Sequence, residues 1–151
     1  MKLIDIIDAT PIRYGYRIAF LTNFFREPLL RRIEQKFDII RPEWTVLICL
    51  EFQNHLAQKD ICEITEQPSN TVSRAVRSLE QKGHIQCSSD SRDGRRTVLE
   101  ITDSGKALYD QIMPLCVEGE AAMLAPLTES ERAQLDKLLN KLCRAVPDWH
   151  K

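Results

Sequence analysis

Two short segments of the chain combine small polar side chains with arginines, which is the chemistry that nucleic-acid binding requires. Residues 69–77 read SNTVSRAVR, with hydroxyl, amide and guanidinium groups along one side of an expected helix. Such groups can hydrogen-bond to base edges in the major groove of DNA. Residues 90–96 read DSRDGRR, a turn sequence rich in arginine, and guanidinium groups are attracted to the negative potential of the minor groove. The two segments together predict contact with duplex DNA.

The candidate DNA-binding residues lie in these two segments, and most of them have a plainer alternative. They are Ser69, Asn70, Thr71, Ser73, Arg74 and Arg77 in the first segment, and Arg92, Asp93, Arg95 and Arg96 in the second. Ser69 could instead cap a helix, Arg74 and Arg77 could be solvated, and the turn could be an ordinary surface loop. We expect Arg95 to enter the minor groove. We expect Arg92 and Arg96 to contact phosphates, which adds affinity without sequence information.

The elements around these segments predict a winged helix-turn-helix. The buried side of the first segment is formed by apolar residues at the helical spacing, Val72, Ala75, Val76 and Leu79. Gly83 ends this helix as a C′ glycine. A helix over residues 58–66 precedes it, and its inward face is expected to consist of Ile61, Cys62 and Ile64. The runs 85–89 and 97–101 predict two strands around the arginine-bearing loop, which is the form of a wing hairpin.

Further helices flank this unit on both sides. Residues 12–37 have aromatic side chains near the helical period, and Pro42 suits the first turn of the next helix. After the wing, a capping box at Thr128 and Glu131 precedes an apolar stripe, Leu135, Leu138, Leu139, Leu142 and Val146. A chain of this length has too little core to cover stripes at both ends, so we expect them to be buried between two copies.

These expectations define the fold class and the domain boundaries. The fold class is mainly α with a small β wing, that is, a winged helix-turn-helix domain flanked by N- and C-terminal dimerisation helices. The N-terminal dimerisation helices are expected in residues 1–38, the DNA-binding domain in residues 39–102, and the C-terminal dimerisation helices in residues 103–151.

The charge distribution favours a local DNA-binding surface on an acidic body. The 151-residue chain has a net charge of −1. Residues 69–96 carry six basic and three acidic side chains, which makes +3, so the remainder carries −4. The chain contains no apolar run long enough for a membrane span and no catalytic or nucleotide-binding motif. We therefore expect a cytoplasmic protein that is not an enzyme and needs no cofactor.

The cysteines and histidines are scattered along the chain. The cysteines form no CxxC pair and no zinc-finger spacing, so they are expected to be reduced thiols that act mainly as apolar fillers. Cys49 and Cys87 are the two candidates for thiol sensing. His55, His84 and His150 show no paired ligand spacing, so no metal site is expected.

A series of motifs follows in a specific order between Pro42 and Leu142. The second helix opens with Pro42-Glu43-Trp44-x-Val46-Leu47, and the recognition helix reads Thr71-Val72-Ser73-Arg74-Ala75-Val76-x-x-Leu79-Glu80-x-Lys82-Gly83. The wing reads Asp90-x-Arg92-Asp93-x-Arg95, followed by Leu99-x-Ile101-Thr102-x-x-Gly105 and later by Leu127-Thr128-x-x-Glu131-Arg132. In this order and spacing the chain resembles the MarR family of winged-helix transcription regulators.

The resemblance implies a homodimer whose two winged-helix lobes straddle a pseudo-palindromic operator, with half-sites about one DNA turn apart. It also implies that Asp93 pairs with a neighbouring arginine and so holds the wing loop. Regulators of this family usually repress, and many release DNA when a small aromatic acid or a phenolic ligand binds. A ligand-released repressor is therefore the expected function.

The sequence also offers candidates for an effector pocket and leaves two alternative functions open. An aromatic effector needs a pocket with aromatic walls and a cation; Tyr14, Tyr16, Arg17 and Trp44 could form it, although core or interface packing explains the same aromatic residues. Peroxide-sensing members of the family carry a reactive cysteine in the first long helix, and residues 12–37 contain none. A winged-helix protein-interaction module without operator binding and a thiol-based redox-responsive regulator stay open as alternatives.

Overall fold

The computed structural model describes residues 2–149 and shows a mainly helical chain with one two-stranded antiparallel hairpin in that range. The helices are α1 (Leu3–Asp8), α2 (Arg13–Phe37), α3 (Arg41–Phe52), α4 (Gln58–Thr65), α5 (Ser69–Gln81), α6 (Asp103–Leu124) and α7 (Glu129–Arg144), followed by a 3-10 helix, Val146–Asp148. The strands are β1 (Ile85–Ser89) and β2 (Thr97–Ile101), which lie between α5 and α6. The predicted fold class is confirmed.

One hydrophobic core lies within the first of two compact units, which ends at Cys116. Helices α3, α4 and α5 supply most of it, with Trp44, Val46, Leu47, Leu50, Ile61, Val72, Ala75, Val76 and Leu79. The C-terminal end of α2 adds Ile33, and the first half of α6 adds Leu108 and Ile112. Helices that lie beyond residues 38 and 102 therefore contribute side chains to the same core as α3, α4 and α5.

Helix α3 is joined to the end of α5 by an ion pair whose carboxylate is buried. The Glu43 carboxylate accepts the Ile40 backbone N–H at 2.8 Å and caps α3, and Lys82 Nζ donates to its other oxygen at 3.0 Å. Glu43 is only 1% exposed, and a buried carboxylate without a partner would be strongly unfavourable. Because Lys82 is the C-cap residue of α5, this pair fixes the recognition helix relative to α3.

Helices α4 and α5 form the helix-turn-helix. The Asp60 carboxylate accepts the Ala57 N–H at 2.8 Å and caps α4, and Gly83, with φ 78°, ends α5 as predicted. The predicted inward face of α4 is correct for Ile61, which is fully buried. It is wrong for Ile64, which is 56% exposed because it faces the cleft between α4 and the loop of the hairpin.

The hairpin is in regular antiparallel register from Ile85 opposite Ile101 to Ser89 opposite Thr97. Its base is held against the start of α6, where the Thr102 hydroxyl accepts the Gly105 N–H at 3.1 Å. Gly105 packs directly on the chain between α5 and β1: a Cβ at this position would lie 2.1 Å from the His84 carbonyl oxygen. A glycine is therefore required here by close approach of the backbone.

The second compact unit begins at Val117 and includes α7. The predicted capping box is confirmed, because the Thr128 hydroxyl accepts the Glu131 N–H at 3.2 Å and the Glu131 carboxylate accepts the Thr128 N–H at 2.8 Å. Four members of the predicted apolar stripe are exposed in the single chain, Leu138, Leu139, Leu142 and Val146. Within residues 2–149, no helix has the length and apolar character needed to cross a membrane.

Candidate nucleic-acid interface

The recognition helix α5 presents one polar side to solvent, since its apolar side is buried against α3 and α4. Ser69, Asn70, Arg74 and Arg77 are exposed on the polar side, and Thr71 and Ser73 are half-buried. Pro68 is the N-cap residue and no side chain caps the helix, so Ser69 is the first helical residue and not a cap. The Asn70 side-chain oxygen instead accepts the Thr71 N–H at 2.9 Å. Among residues 2–149 the Ser69 hydroxyl has no hydrogen-bond partner, so it is available to a ligand.

The wing loop, residues 90–96, is held by its own carboxylates. Asp90 accepts the Arg92 backbone N–H at 2.9 Å, and Asp93 accepts the Arg95 backbone N–H at 3.1 Å. Backbone bonds from Asp90 N to Arg96 O, 2.8 Å, and from Arg96 N to Asp93 O, 2.9 Å, close the loop. The family resemblance implies that Asp93 pairs with an arginine side chain. In the structure Asp93 instead holds the loop through a backbone N–H. The two acids are thus used for local structure.

The three wing arginines differ in what surrounds their side chains. Arg92 and Arg95 are exposed, and within the described part of the chain neither guanidinium group pairs with an acid. The Arg96 guanidinium instead forms an ion pair with the Asp60 carboxylate at the start of α4. Arg92 and Arg95 are available to bind phosphate or a groove, whereas Arg96 is already engaged.

The root of the wing is fixed to the connection between α3 and α4. Leu56 and Leu99 form an isolated β-bridge, with the Leu99 N–H donating to the Leu56 carbonyl at 2.8 Å. The Ile101 N–H donates to the Asn54 side chain at 3.1 Å, and His55 Nδ1 lies 2.9 Å from a carboxylate oxygen of Glu100. Side-chain hydrogen bonds from Gln86 and Ser88 lower the pKa of Glu100, with His55 adding to the effect. The hairpin therefore extends from a well-anchored base.

A groove of about 350 Å³ separates the recognition helix from the wing. Arg77 and Ser73 line its helix side, and Cys87 lies on its wing side. The Cys87 thiol donates to the Glu80 carboxylate at 2.8 Å. This hydrogen bond, assisted by burial and by the charge of Glu80, raises the pKa of Cys87 to about 11. Because only the thiolate is a good nucleophile, the geometry disfavours thiol sensing at Cys87.

Cys49, the other thiol considered for sensing, is half-buried in α3, and burial raises its pKa. Of the histidines, His55 pairs with Glu100 and His84 Nδ1 lies 3.0 Å from the Ser104 hydroxyl. His150 lies outside the described residues. Within residues 2–149 there is no group of three His, Cys, Asp or Glu side chains arranged to hold a metal ion.

The four residues considered for an effector pocket have different surroundings. Trp44 is buried in the core and stacks on Tyr109 with ring centroids 5.4 Å apart. Arg17 is paired with Asp8 at 2.6 Å, and Tyr14 is largely exposed. Tyr16 lines a mostly apolar cleft of about 270 Å³ between α1 and α2. Trp44 therefore has a packing role, and the effector pocket stays a prediction.

Two residues that position the interface, Asp60 and Lys82, are not among the site residues predicted from the sequence. Asp60 ties the wing to α4, and Lys82 ties α5 to α3 through Glu43. The local signal for Asp60 is an acid three residues into the helix, which indicates a cap. That signal does not reveal the partner on the wing, because Arg96 is 36 residues further along the chain.

Comparison with known proteins identifies relatives of related sequence and fold. The sequence profile described as the MarR family matches residues 37–96, from the end of α2 to the end of the wing loop. The chain is 30% identical over 116 residues to the HTH-type transcriptional regulator PecS of Dickeya dadantii (strain 3937), covering 75% of this chain and 70% of PecS. It is 26% identical over 100 residues to the HTH-type transcriptional repressor NicR of Pseudomonas putida, covering 66% of this chain and 63% of NicR.

A solved structure extends this likeness to three dimensions. The structure of the MepR–DNA complex from S. aureus superposes with a TM-score of 0.73 and 27% sequence identity, covering 88% of this chain and 96% of that chain. That protein is therefore similar to this chain over nearly its full length, and it is seen bound to DNA.

Proposed function

Because the chain belongs to the MarR family of transcriptional regulators, we propose that it binds a specific pseudo-palindromic operator as a homodimer and represses transcription there. Binding of DNA is common to this family, whereas the operator, the dimer and the direction of regulation are the content of the proposal. A protein of this kind acts where the DNA is, so we propose a cytoplasmic location.

The observation that carries the proposal is the pairing of an exposed polar helix with an arginine-bearing loop beside it. Besides Arg96, which is paired with Asp60, four exposed arginines lie on these two elements, Arg74 and Arg77 on α5 and Arg92 and Arg95 on the wing loop. Within the described residues none of the four guanidinium groups forms an ion pair with an acid, whereas the loop's own acids bind its backbone. Unpaired guanidinium groups on the recognition helix and on the wing loop are suited to phosphates and base edges.

Each part of this surface has a proposed role. Ser69, Asn70, Thr71 and Ser73 are at the end of α5 that enters the major groove, and short polar side chains there can bond to base edges. Arg74 and Arg77 reach either a guanine edge or the backbone. Arg95 enters the minor groove and Arg92 contacts a phosphate, while Asp93 fixes the turn from which Arg95 extends.

The direct test is the affinity of the full-length protein for a duplex of about 30 base pairs, enriched from a random library by selection with the wild-type protein. We expect Arg95→Ala to cost about 1–3 kcal/mol in binding to this duplex, measured by fluorescence anisotropy. Arg31→Ala on α2, also exposed, removes the same charge outside the proposed surface and serves as the control. Failure to enrich any sequence, even at low salt, would instead favour a protein-interaction module.

The repressor is further proposed to release DNA when a small aromatic acid or phenolic ligand binds. Release by a ligand is supported by the behaviour that the family resemblance implies, and repression is supported by the name of NicR, which is called a repressor. A ligand weakens operator binding only if it favours a spacing of the two lobes that mismatches the half-sites. Titration of hydroxybenzoic acids into the preformed complex tests this part, with cyclohexanecarboxylate as an equally charged non-aromatic control. If no hydroxybenzoic acid lowers the anisotropy of the complex, this effector class is ruled out.

A further inference from the structure

Arg96 and Asp60 join the wing to α4 across the cleft that separates them. The cleft has a volume of about 980 Å³, and both residues line it together with Ile64, Arg92 and Asp93. The ion pair links the Arg96 guanidinium to the Asp60 carboxylate, and the Asp60 side chain is only 28% exposed. Among the described residues this is the one ion pair between the wing loop and α4.

Arg96 lies at the point where the wing loop closes, so a contact that fixes its side chain also fixes the backbone of the loop. Its carbonyl accepts the N–H of Asp90 at 2.8 Å, and its N–H donates to the carbonyl of Asp93 at 2.9 Å. Asp93 in turn orients Arg95 through the hydrogen bond to the Arg95 N–H. A shift of Arg96 would therefore move Arg95.

The Asp60 carboxylate is a fixed anchor for this arginine. The same oxygen that Arg96 contacts also accepts the Ala57 N–H, which places it at the N-terminus of α4, where the helix dipole favours negative charge. The root of the wing is held by Leu56 and Asn54. The Arg96–Asp60 pair adds an attachment at the opposite end of β2.

Building on the proposed function, we infer that Arg96 is a positioning residue for operator binding and does not itself contact phosphate. Paired with Asp60, it sets the angle of the wing loop so that Arg95 reaches the minor groove. This role replaces the phosphate contact that the sequence alone suggested for Arg96.

The two roles predict opposite effects of Asp60→Asn. If Arg96 bound phosphate, Asp60 would compete for it, and removing the charge would strengthen DNA binding. If Arg96 positions the loop, the same change weakens binding. Asparagine keeps an oxygen that can accept the Ala57 N–H, so the cap of α4 is retained.

The experiment compares Arg96→Gln, Asp60→Asn and the double variant on the selected duplex at one moderate salt concentration. We expect each single change to weaken binding about tenfold or more and the double variant to be no worse than either. Glu63→Gln, which removes a charge from the same helix and the same cleft, is the control and should not weaken binding. Tighter or unchanged binding by Asp60→Asn would overturn the inference.

A second measurement without DNA separates this inference from the proposed function. Amide hydrogen exchange of the free, full-length protein should be faster at the backbone N–H groups of positions 90 and 96 in both single variants than in Glu63→Gln, because these N–H groups close the loop. Unchanged exchange would show that the pair does not hold the loop. If the wild-type protein enriches no DNA sequence, the proposed function fails, and the exchange rates still decide whether Arg96 and Asp60 fix the wing.

Discussion

Glu80 and Cys87 face each other across the groove between α5 and the wing, and their contact sets the reactivity of the thiol. The Cys87 thiol donates to Glu80 at 2.8 Å, and its pKa is raised to about 11. A thiol ionises only as the pH approaches its pKa, so at pH 8 about one molecule in a thousand carries the thiolate. A redox sensor requires the opposite environment, with a cation or a helix N-terminus beside the sulfur. The residues around Cys87 therefore argue against the thiol-responsive alternative.

Replacing Glu80 should make Cys87 more reactive. In Glu80→Gln the carboxylate that favours the protonated thiol is lost, so the pKa of Cys87 falls towards its ordinary value and the thiolate population at pH 8 rises. The rate of alkylation of Cys87 by iodoacetamide, followed by mass spectrometry between pH 7 and 10, should increase by roughly tenfold or more. Cys143→Ser, which removes the other exposed thiol, serves as the control for site assignment. An alkylation profile identical to that of the wild type would show that Glu80 does not set the reactivity of Cys87.

At the scale of secondary-structure elements, local signals predicted where helices start and stop, but not how they are joined. Gly83 and Thr128 act within a few residues of themselves, and both termini were predicted correctly. The pairs that fix the elements join residues 39 positions apart, for Lys82 and Glu43, and 36 apart, for Arg96 and Asp60. Such partners cannot be found by periodicity or capping patterns. The sequence also does not show whether an aromatic residue packs in the core or lines a pocket. Trp44 is for this reason a pocket candidate in the sequence, although it packs in the core of the structure.

Gly105 shows how one element depends on close contact with another. The family resemblance included this residue without a reason, and the structure gives one: a Cβ would lie 2.1 Å from the His84 carbonyl oxygen and 2.7 Å from Ile101 Cγ1. We expect Gly105→Ala to lower the free energy of unfolding by about 1–3 kcal/mol, because α6 must move away from the chain that joins α5 to β1. Urea denaturation followed by circular dichroism measures the change. Gly94→Ala adds the same methyl group where nothing lies within 4 Å and should be nearly neutral; an equal loss in both variants would contradict this account.

For the whole molecule, the apolar surface outside the winged-helix core bears on the assembly. In the first unit α1 and α2 expose Leu3, Ile6, Ile18, Leu21 and Phe24. In the second unit α7 and the residues after it expose Leu138, Leu139, Leu142, Val146 and Trp149. Contiguous exposed apolar surface on a protein marks a site of association. A two-fold dimer would bury each such surface in both copies, and it would also place two recognition helices on one operator.

Replacing two leucines of α7 with glutamate should therefore prevent dimerisation. Leu138 and Leu142 are one helical turn apart on the same side, so Leu138→Glu with Leu142→Glu would bury two carboxylates at the proposed interface, which is strongly unfavourable. By sedimentation velocity we expect the wild type at twice the chain mass of 17.5 kDa and the double variant at the mass of one chain. The affinity of the double variant for the selected duplex should also be lower than that of the wild type, because two separate chains then bind the two half-sites independently. Ile64→Glu, which replaces an exposed apolar residue of α4, should leave the mass unchanged. A double variant that stays dimeric would place the interface elsewhere than on the α7 stripe.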